Sequence, residues 1–334
     1  MAHLPIQIAG IGHYLPQQQI SSSDLATRLE LTHDWIAAKT GVHTRHYANL
    51  AQGETTVGMG AAAARMALNH AEIRADQLDV IVAAATGAEQ LIPCTAVLLQ
   101  HALGAPEGQS ICFDVNATCM SFLVALHLVA AQVATGVYQT ALIVTSEIAS
   151  TSLNPREPES TALFGDAAAA VVVRRTPPGS ASAIYHTRLA TYSSGADYIV
   201  GLGGGTRHHP NDPATTPEMN MFHMEGPRAY LQVFRTLPPF LDTFFAEAGW
   251  RREDLAAVVP HQASQHGLDL LTQRLGFRAE QVVSNLATRG NTVAASIPLA
   301  LSEAVHAGRI RRGDRLALIG AGAGLTLGAM ALVY

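Results

Sequence analysis

One cysteine lies where a strand pattern gives way to a helix pattern, and this position could make its thiol reactive. An apolar run at 111–115 predicts a strand, and a helical pattern follows from about Cys119. Backbone N–H groups at a helix N-terminus have no intrahelical partner and carry partial positive charge. We therefore expect a stabilised Cys119 thiolate, which is a nucleophile near neutral pH. The alternative is a buried structural cysteine, the interpretation that we keep for Cys94 and Cys112.

His261 and Asn291 stand in two other segments and could complete an active site around a thiol. His261 follows Pro260 at the end of an apolar strand pattern, where an imidazole can act as a general base or donate to an oxyanion. Asn291 follows Gly290 and precedes a helical pattern, so its amide could donate to an oxyanion or cap the helix. A solvated loop histidine is the competing interpretation for His261, because the chain contains 15 histidines.

Glycine and alanine dominate the segment 320–328, which reads GAGAGLTLG. Residues this small allow backbone N–H groups to approach a substrate oxygen closely. The other interpretation of this segment is a tight turn between two strands.

Short apolar runs alternate with longer helical patterns, and these elements must position the residues above. The apolar runs predict buried strands at 79–85, 111–115, 140–145, 168–173, 256–260, 315–320 and 330–333. Helical spacing predicts helices at 57–71, 120–135, 230–248 and 296–307. Fully apolar strands that alternate with helices are typical of an α/β fold with covered sheets. The stretch 192–220 is rich in Gly, Pro, Thr and His, which predicts surface loops.

The chain also has the pattern of a duplication. Residues 71–78 (AEIRADQL) resemble residues 248–255 (AGWRREDL), and an apolar strand pattern follows each. A repeat of about half the chain is too long for a solenoid unit. We therefore expect two similar α/β halves that face each other with a site at their junction. The half 1–175 holds the candidate cysteine, and the half 176–334 holds the candidate histidine and asparagine.

Composition and charge exclude several classes of protein. With 48% hydrophobic and 14% charged residues among 334, the chain can build a large core, so global disorder is excluded. A formal net charge of −5 argues against a nucleic-acid partner. The apolar stretch 122–137 is interrupted by His127 and Gln132, which predicts a buried helix and no membrane span. Three cysteines without CxxC spacing, and an N-terminus without a basic signal region, predict a cytoplasmic protein.

Taken together and in this order, the segments resemble the thiolase-fold condensing enzymes, specifically the β-ketoacyl-ACP synthase III family. The matching motifs are Phe113-Asp-Val before the cysteine, Leu163-Phe-Gly-Asp166, Pro260-His-Gln-Ala263, Gly290-Asn-Thr and Gly324-Leu-Thr-Leu-Gly328. Residues 35–42 (WIAAKTGV), with Arg45, are similar to the family's N-terminal segment. The resemblance spans nearly the whole chain and implies a thiolase-like fold, with two similar α/β halves in a layered αβαβα arrangement.

The resemblance implies a ping-pong decarboxylative Claisen condensation. Cys119 would take an acyl group from a CoA thioester. A malonyl thioester would then lose CO2, with His261 and Asn291 hydrogen-bonded to the enolate oxygen. The backbone N–H groups of Cys119 and of Ala323 would hold the tetrahedral oxyanion. CoA thioesters are then substrates, and neither a metal nor another cofactor is expected.

The resemblance also places substrate-binding residues. Trp35 and Lys39 fall where the family contacts the CoA nucleotide, since an aromatic ring can stack on adenine and a cation can meet phosphate. Helix packing is the alternative role for Trp35. Ile92, in the segment 90–93, matches a loop that borders the partner's acyl pocket in the family's homodimer. Ala321 stands where members often have a bulky aromatic residue, which predicts a roomier pocket and acyl chains longer than acetyl.

Two departures from the family pattern keep several functions open. Ser264 stands where the family usually has asparagine. The helix after His261 offers basic residues to an acyl carrier protein in the family, whereas here it carries only Arg274, which leaves that partner open. The chain could initiate fatty-acid synthesis, or be a condensing enzyme or acyltransferase of secondary metabolism. A non-catalytic subunit of a heterodimer is a third class, and the intact Cys–His–Asn set argues against it.

Overall fold

A computed structural model describes residues 3–334. The strands are β1 Ile6–Tyr14, β2 Gln18–Ser21, β3 Thr44–Tyr47, β4 Val80–Ala84, β5 Ile111–Val115, β6 Thr140–Glu147, β7 Ala167–Arg175, β8 Ala183–Gly195, β9 Ile199–Val200, β10 His223–Met224, β11 Ala257–Pro260, β12 Arg315–Gly322 and β13 Gly324–Val333. The α-helices are α1 Ser22–Arg28, α2 His33–Thr40, α3 Thr56–Ala71, α4 Thr95–Leu103, α5 Ser121–Ala134, α6 Pro158–Leu163, α7 Gly226–Ala248, α8 Gln265–Gln273, α9 Leu286–Arg289 and α10 Ser296–His306.

Two mixed sheets form the framework. The five-stranded sheet has the order β1-β7-β6-β4-β5, and all its strands precede residue 176. The four-stranded sheet has the order β11-β12-β13-β8, and all its strands follow residue 176. In the first sheet β4 pairs in parallel with β5 and β6, and in the second β11 pairs in parallel with β12. β4 and β11 are buried along their whole length, as parallel strands covered on both faces are, and this agrees with their unbroken apolar runs.

Helices cover both faces of each sheet and so build five layers. α5 and α10 lie between the sheets, since α5 packs on β4 to β7 and on β13, and α10 packs on β1, β7, β11 and β12. Both central helices are apolar nearly all round, as a helix covered on two sides must be. α3 and α4 cover the outer face of the first sheet, and α7 covers the outer face of the second. The predicted αβαβα arrangement is therefore present.

The repeat predicted from sequence has a structural counterpart. α3 is followed by a 3₁₀ turn, Ala75–Gln77, and then by β4. α7 is followed by a 3₁₀ turn, Arg252–Asp254, and then by β11. An arginine precedes each turn, Arg74 in one case and Arg251 in the other. Its backbone N–H donates to a side-chain oxygen three residues later, Gln77 Oε1 in the first turn and Asp254 Oδ2 in the second. The two segments resemble each other because each performs the same helix-to-strand connection.

The structure confirms loops over 201–216 but corrects the interpretation of the whole stretch 192–220 as loops. β8 continues to Gly195, and β9 lies within the same stretch. β8 is half-exposed and alternates buried with accessible residues, so it has no continuous apolar run. β1 was also not among the predicted strands, because Gly10 and Gly12 interrupt its apolar pattern. A Cβ atom on Gly12 would lie 2.5 Å from the Ala63 carbonyl oxygen of α3, so glycine is needed for this helix to approach the strand.

Within residues 3–334, none of the helices is both long enough and apolar enough to span a lipid bilayer.

Candidate active site

Cys119 lies in a tight turn between β5 and α5, which we call the nucleophile turn (residues 116–119). α5 begins at Ser121, two residues after Cys119 and one residue later than the predicted helix 120–135. Thr118 has a φ of 52°, a left-handed conformation that costs a β-branched residue of order 1–3 kcal/mol. Two hydrogen bonds hold it there: the Thr118 N–H donates to Asn116 Oδ1 at 2.9 Å, and Ser121 Oγ donates to the Thr118 carbonyl at 2.6 Å. The turn presents Cys119 at a fixed place before the helix.

Strand β12 passes unusually close to the nucleophile turn. A Cβ atom on Gly322 would lie 2.9 Å from Thr118 Oγ1 and 3.4 Å from the Cys119 nitrogen. Two residues earlier on the same face, a Cβ on Gly320 would lie 2.7 Å from Met120 Sδ and 3.3 Å from His261 Cβ. The glycines of the segment 320–328 therefore let β12 bring the His261 loop and the nucleophile turn together.

Asn291 is tied to the loop that carries His261. His261 follows β11 directly, and its N–H donates to the Ile319 carbonyl at 2.8 Å. Asn291 Nδ2 donates to the Ala263 carbonyl at 3.3 Å, and its Oδ1 accepts from the Val293 N–H at 2.9 Å. An amide nitrogen carries two hydrogens, so Asn291 keeps one donor for a ligand. Gly290, with a φ of 68°, allows the sharp approach to this residue.

Burial keeps the reactive side chains neutral at rest. Burial, with a smaller contribution from the charge of Glu147, raises the pKa of the Cys119 thiol to about 12. Residue 119 as a whole is partly exposed, but its sulfur is surrounded by protein. The burial of the sulfur determines the pKa of the thiol. Burial lowers the pKa of His261 to about 4. At pH 7 the pair is therefore a thiol and a neutral imidazole, and the stable thiolate expected from the sequence is wrong for the resting protein.

Backbone N–H groups oppose the effect of burial at the sulfur. Those of Cys119 and Ala323 both favour the thiolate and so lower the Cys119 pKa, although burial outweighs them. Ala323 is the single residue between β12 and β13, so the small-residue segment is a tight turn as well as a source of donors. The two N–H groups predicted to hold an oxyanion thus meet at the same side chain. Donors fixed at this point can stabilise negative charge that develops during a reaction.

Comparison with known proteins identifies the family. The family model described as 3-oxoacyl-[acyl-carrier-protein (ACP)] synthase III matches residues 113–193, and the model of its C-terminal part matches residues 245–334. "Beta-ketoacyl-[acyl-carrier-protein] synthase III 3" of Streptomyces coelicolor is 34% identical over 98% of this chain and 96% of its own length. The chain belongs to the 3-oxoacyl-ACP synthase III family. The synthase III of Rhodospirillum rubrum is 36% identical over 96% of this chain and 97% of its own.

Solved structures of synthase III enzymes confirm the thiolase fold. The Pseudomonas aeruginosa enzyme aligns with a TM-score of 0.88 at 31% identity, over 99% of this chain and 98% of its own. The priming β-ketosynthase of the R1128 polyketide pathway aligns with a TM-score of 0.90 at 30% identity, over 99% and 96% of the two chains. Members of the synthase III family are acyl-condensing transferases, so the chain is an enzyme of that class.

Trp35 and Lys39 lie one turn apart on α2, beside the helix that follows His261. Trp35 is half-buried against the small cluster around Ile36, which includes Ala162, whereas Lys39 is exposed. α2 ends at Gly41, where a Cβ atom would lie 2.7 Å from Gln265 Cβ at the start of α8. The packing role considered for Trp35 is therefore present, and it leaves part of the ring accessible to a substrate.

Ala321 and Ile92 lie in very different surroundings. Ala321 points to the face of β12 opposite Gly320 and Gly322. It is half-buried in the cluster that holds Phe164 and Phe222, whose rings meet edge to face at 4.9 Å. Ile92 is 86% exposed, so it lines no pocket within its own chain.

Ser264 and Glu147 show what the sequence did not reveal. Ser264 caps α8, with Oγ accepting from the Gly267 N–H at 3.2 Å, so the departure from the family's asparagine has a structural role.

Glu147 ends β6, is only 4% exposed, and lies near enough to act on the thiol of Cys119. Burial raises its pKa to about 7. An acidic residue at the end of an apolar strand was the available signal.

The first prediction concerns the nucleophile. Cys119→Ala should abolish the covalent acyl adduct that forms with an acyl-CoA, because the sulfur is lost while a small side chain still fits the site. Intact-protein mass spectrometry measures the adduct, and the melting temperature checks the fold. Cys112→Ala, a substitution of another free cysteine on β5, is the matched control and should load normally. A stable acyl adduct on the Cys119→Ala protein would show that the assignment is wrong.

Proposed function

We propose that this enzyme joins an acyl group carried on Cys119 to the carbanion formed from a malonyl thioester. The observation that carries the proposal is the setting of the Cys119 thiol. The N–H groups of Cys119 and Ala323 favour its charged form, and β12 links its turn to the His261 loop, to which Asn291 is hydrogen-bonded. These steps use side chains and backbone groups of the chain itself, with CoA thioesters as substrates and no resident cofactor.

In the first step Cys119 attacks the carbonyl carbon of an acyl-CoA. The oxyanion that forms is stabilised by the N–H groups of Cys119 and Ala323. The neutral imidazole of His261 accepts the thiol proton and returns it to the departing CoA sulfur. The S–C bond to Cys119 replaces the S–C bond to CoA, and CoA leaves as a thiol.

In the second step the malonyl group loses CO2. The carboxylate C–C bond breaks, and its electron pair forms an enolate whose oxygen accepts from His261 and Asn291. The enolate carbon then attacks the acyl carbonyl, and the Cys119 sulfur departs. Because the thiol pKa is about 12, the sulfur takes up a proton from water, which replaces the proton that left with CoA, and the resting enzyme is restored. The product is a β-ketoacyl thioester.

The two halves divide this work in our proposal. The half 1–175 supplies Cys119, and the half 176–334 supplies His261, Asn291 and Ala323.

The names of the synthase III relatives point to an acyl carrier protein as the malonyl carrier. Arg274, directly after α8, has its guanidinium 4.3 Å from the centre of the Phe234 ring, so this basic group is partly engaged. Three free cysteines suit the reducing cytoplasm.

The proposal also includes a homodimer that pairs two β5 edges. β5 is the last strand of its sheet and hydrogen-bonds only to β4 among the described strands. Unpaired edges are usually protected, yet Ile111 on β5 is 53% exposed. A cavity of about 290 Å³ beside it is lined by Phe113, Leu128 and Tyr138. The exposed Ile92 lies on a loop after β4, where a second chain could bury it.

The second prediction separates the two chemical steps. His261→Ala or Asn291→Ala should slow malonyl decarboxylation by roughly 10²–10³, the usual effect of one lost oxyanion donor, while acyl loading is affected less. Release of labelled CO2 measures decarboxylation, and the mass adduct measures loading. Decarboxylation at the wild-type rate in both variants would contradict a condensing mechanism. It would favour transfer of the acyl group to a hydroxyl or amine.

The third prediction concerns assembly. Light scattering at micromolar concentration should give the mass of a dimer for the wild-type protein. Ile111→Lys should give a monomer, because it places a charge on the pairing edge of β5. Leu231→Lys is the matched control: it changes an exposed leucine on the outer helix α7 and should stay dimeric. A monomeric wild-type protein would rule out the dimer.

The fourth prediction concerns the acyl chain. The small side chain of Ala321 lies in the cluster with Phe164 and Phe222, and each acyl methylene buried there would contribute about 0.8 kcal/mol. Acyl-CoAs longer than acetyl should therefore load with higher kcat/KM, by about fourfold per methylene from this burial and by no more than about 200-fold. Ala321→Phe should shift the preference toward short chains, measured across an acyl-CoA panel. A strict acetyl preference that Ala321→Phe leaves unaltered would show that Phe222 already fills the space.

A further inference from the structure

Glu147 is a buried carboxyl group beside the candidate site, and neither proposed step uses it. Its Oε1 accepts from the Thr86 N–H at 2.6 Å, and its Oε2 accepts from the Gly87 N–H at 3.4 Å. The 3₁₀ turn Val293–Ala295 packs on β6, the strand that Glu147 ends, and the N–H of Ala294 favours the charged form of this carboxyl group. A carboxylate is retained in a protein interior only where donors replace the water that it has lost. Here the donors come from two separate segments of the chain.

The first segment leads to the nucleophile. Thr86 and Gly87 follow β4, and the Thr86 carbonyl accepts from Asn116 Nδ2 at 3.1 Å. The other end of the same amide, Asn116 Oδ1, accepts from the N–H of Thr118. One hydrogen-bonded path therefore runs from the Glu147 carboxyl to the residue that precedes Cys119.

The second segment leads to the amide donor. We call residues 291–295 the amide turn. Val293 donates its N–H to Asn291 Oδ1, and its φ of 52° places it, like Thr118, in the left-handed region. Ala294 is the next residue and is fully buried. The turn that orients the Asn291 side chain is thus in contact with Glu147 from the other side.

We propose that Glu147 is a positioning residue for the condensation step: its carboxyl binds the 86–87 segment and the amide turn together, and so fixes the Asn291 amide relative to Cys119. The inference rests on the proposed function, because condensation requires these two groups at once. The carboxyl group has a second effect. Its charge disfavours a thiolate at Cys119, and it is the charged side chain that acts on this sulfur. Substitutions of Glu147 can therefore separate its positioning of Asn291 from the effect of its charge on Cys119.

Two variants separate these effects. Glu147→Gln keeps the shape of the side chain but removes its charge. It also places an amide NH₂ donor where a carboxyl oxygen now accepts from a backbone N–H of the 86–87 segment. Condensation should fall by roughly 10- to 100-fold, as expected for a misplaced reacting group, while acyl loading stays near the wild-type rate. The pH midpoint for iodoacetamide alkylation of Cys119, followed by peptide mass spectrometry, should move to lower pH. Glu147→Asp keeps the charge but is one methylene shorter, so condensation should fall while the alkylation midpoint stays near that of wild type.

Asp79→Asn is the matched control. Asp79 lies at the opposite end of the same strands and likewise accepts two backbone N–H groups, those of Gln139 and Thr140, at 2.6 and 2.9 Å. This variant should lower the melting temperature. The ratio of the condensation rate to the acyl-loading rate and the pH midpoint of Cys119 alkylation should both stay unchanged. A wild-type ratio in Glu147→Asp overturns the positioning role, even if Glu147→Gln does not fold. If the wild-type enzyme makes no β-ketoacyl product, the proposed function fails, while the alkylation profiles still decide whether Glu147 acts on Cys119.

Discussion

The close approach of β12 to the start of α5 is the contact on which the site depends. Side chains at Gly320 and Gly322 would collide with Met120 and Thr118, so the strand from one half reaches the nucleophile turn of the other only without them. This contact brings Ala323 to the nucleophile turn, where its N–H favours the Cys119 thiolate. It also seals the junction, because α5 and α10 fill the space between the sheets with apolar side chains.

The exclusion of water from the junction between the two halves determines the charge of the Cys119 and His261 side chains. Charges that are removed from water are costly, so the thiol and the imidazole rest as neutral groups, with pKa values of about 12 and about 4. The charges then develop only during the reaction, next to N–H groups that are already oriented and need no reorganisation. Strained backbone at Thr118 and Val293 is the cost of holding these groups in place, and it lies on either side of the site.

The sequence predicted the parts of this arrangement that depend on local patterns. Fully buried strands such as β6 have continuous apolar runs, and the order of the motifs at Cys119, His261 and Asn291 matched one family. The half-exposed β8 has no such run, and its pairing with β13 depends on residues far away in the chain. The thiolate was predicted wrongly because a helix start is visible in the sequence, whereas the burial of its sulfur is a property of the tertiary structure. Glu147 was missed for the same reason.

In the proposed reaction, the acyl group on Cys119 is the acceptor in a decarboxylative carbon–carbon bond formation. The most direct test is a single turnover of isolated acyl-enzyme, freed of CoA and mixed with ¹³C-labelled malonyl thioester. We predict that the mass adduct disappears as one equivalent each of CO2 and labelled β-ketoacyl thioester forms. Loss of the adduct as a free acid, or release of CO2 while the adduct persists, would contradict the account.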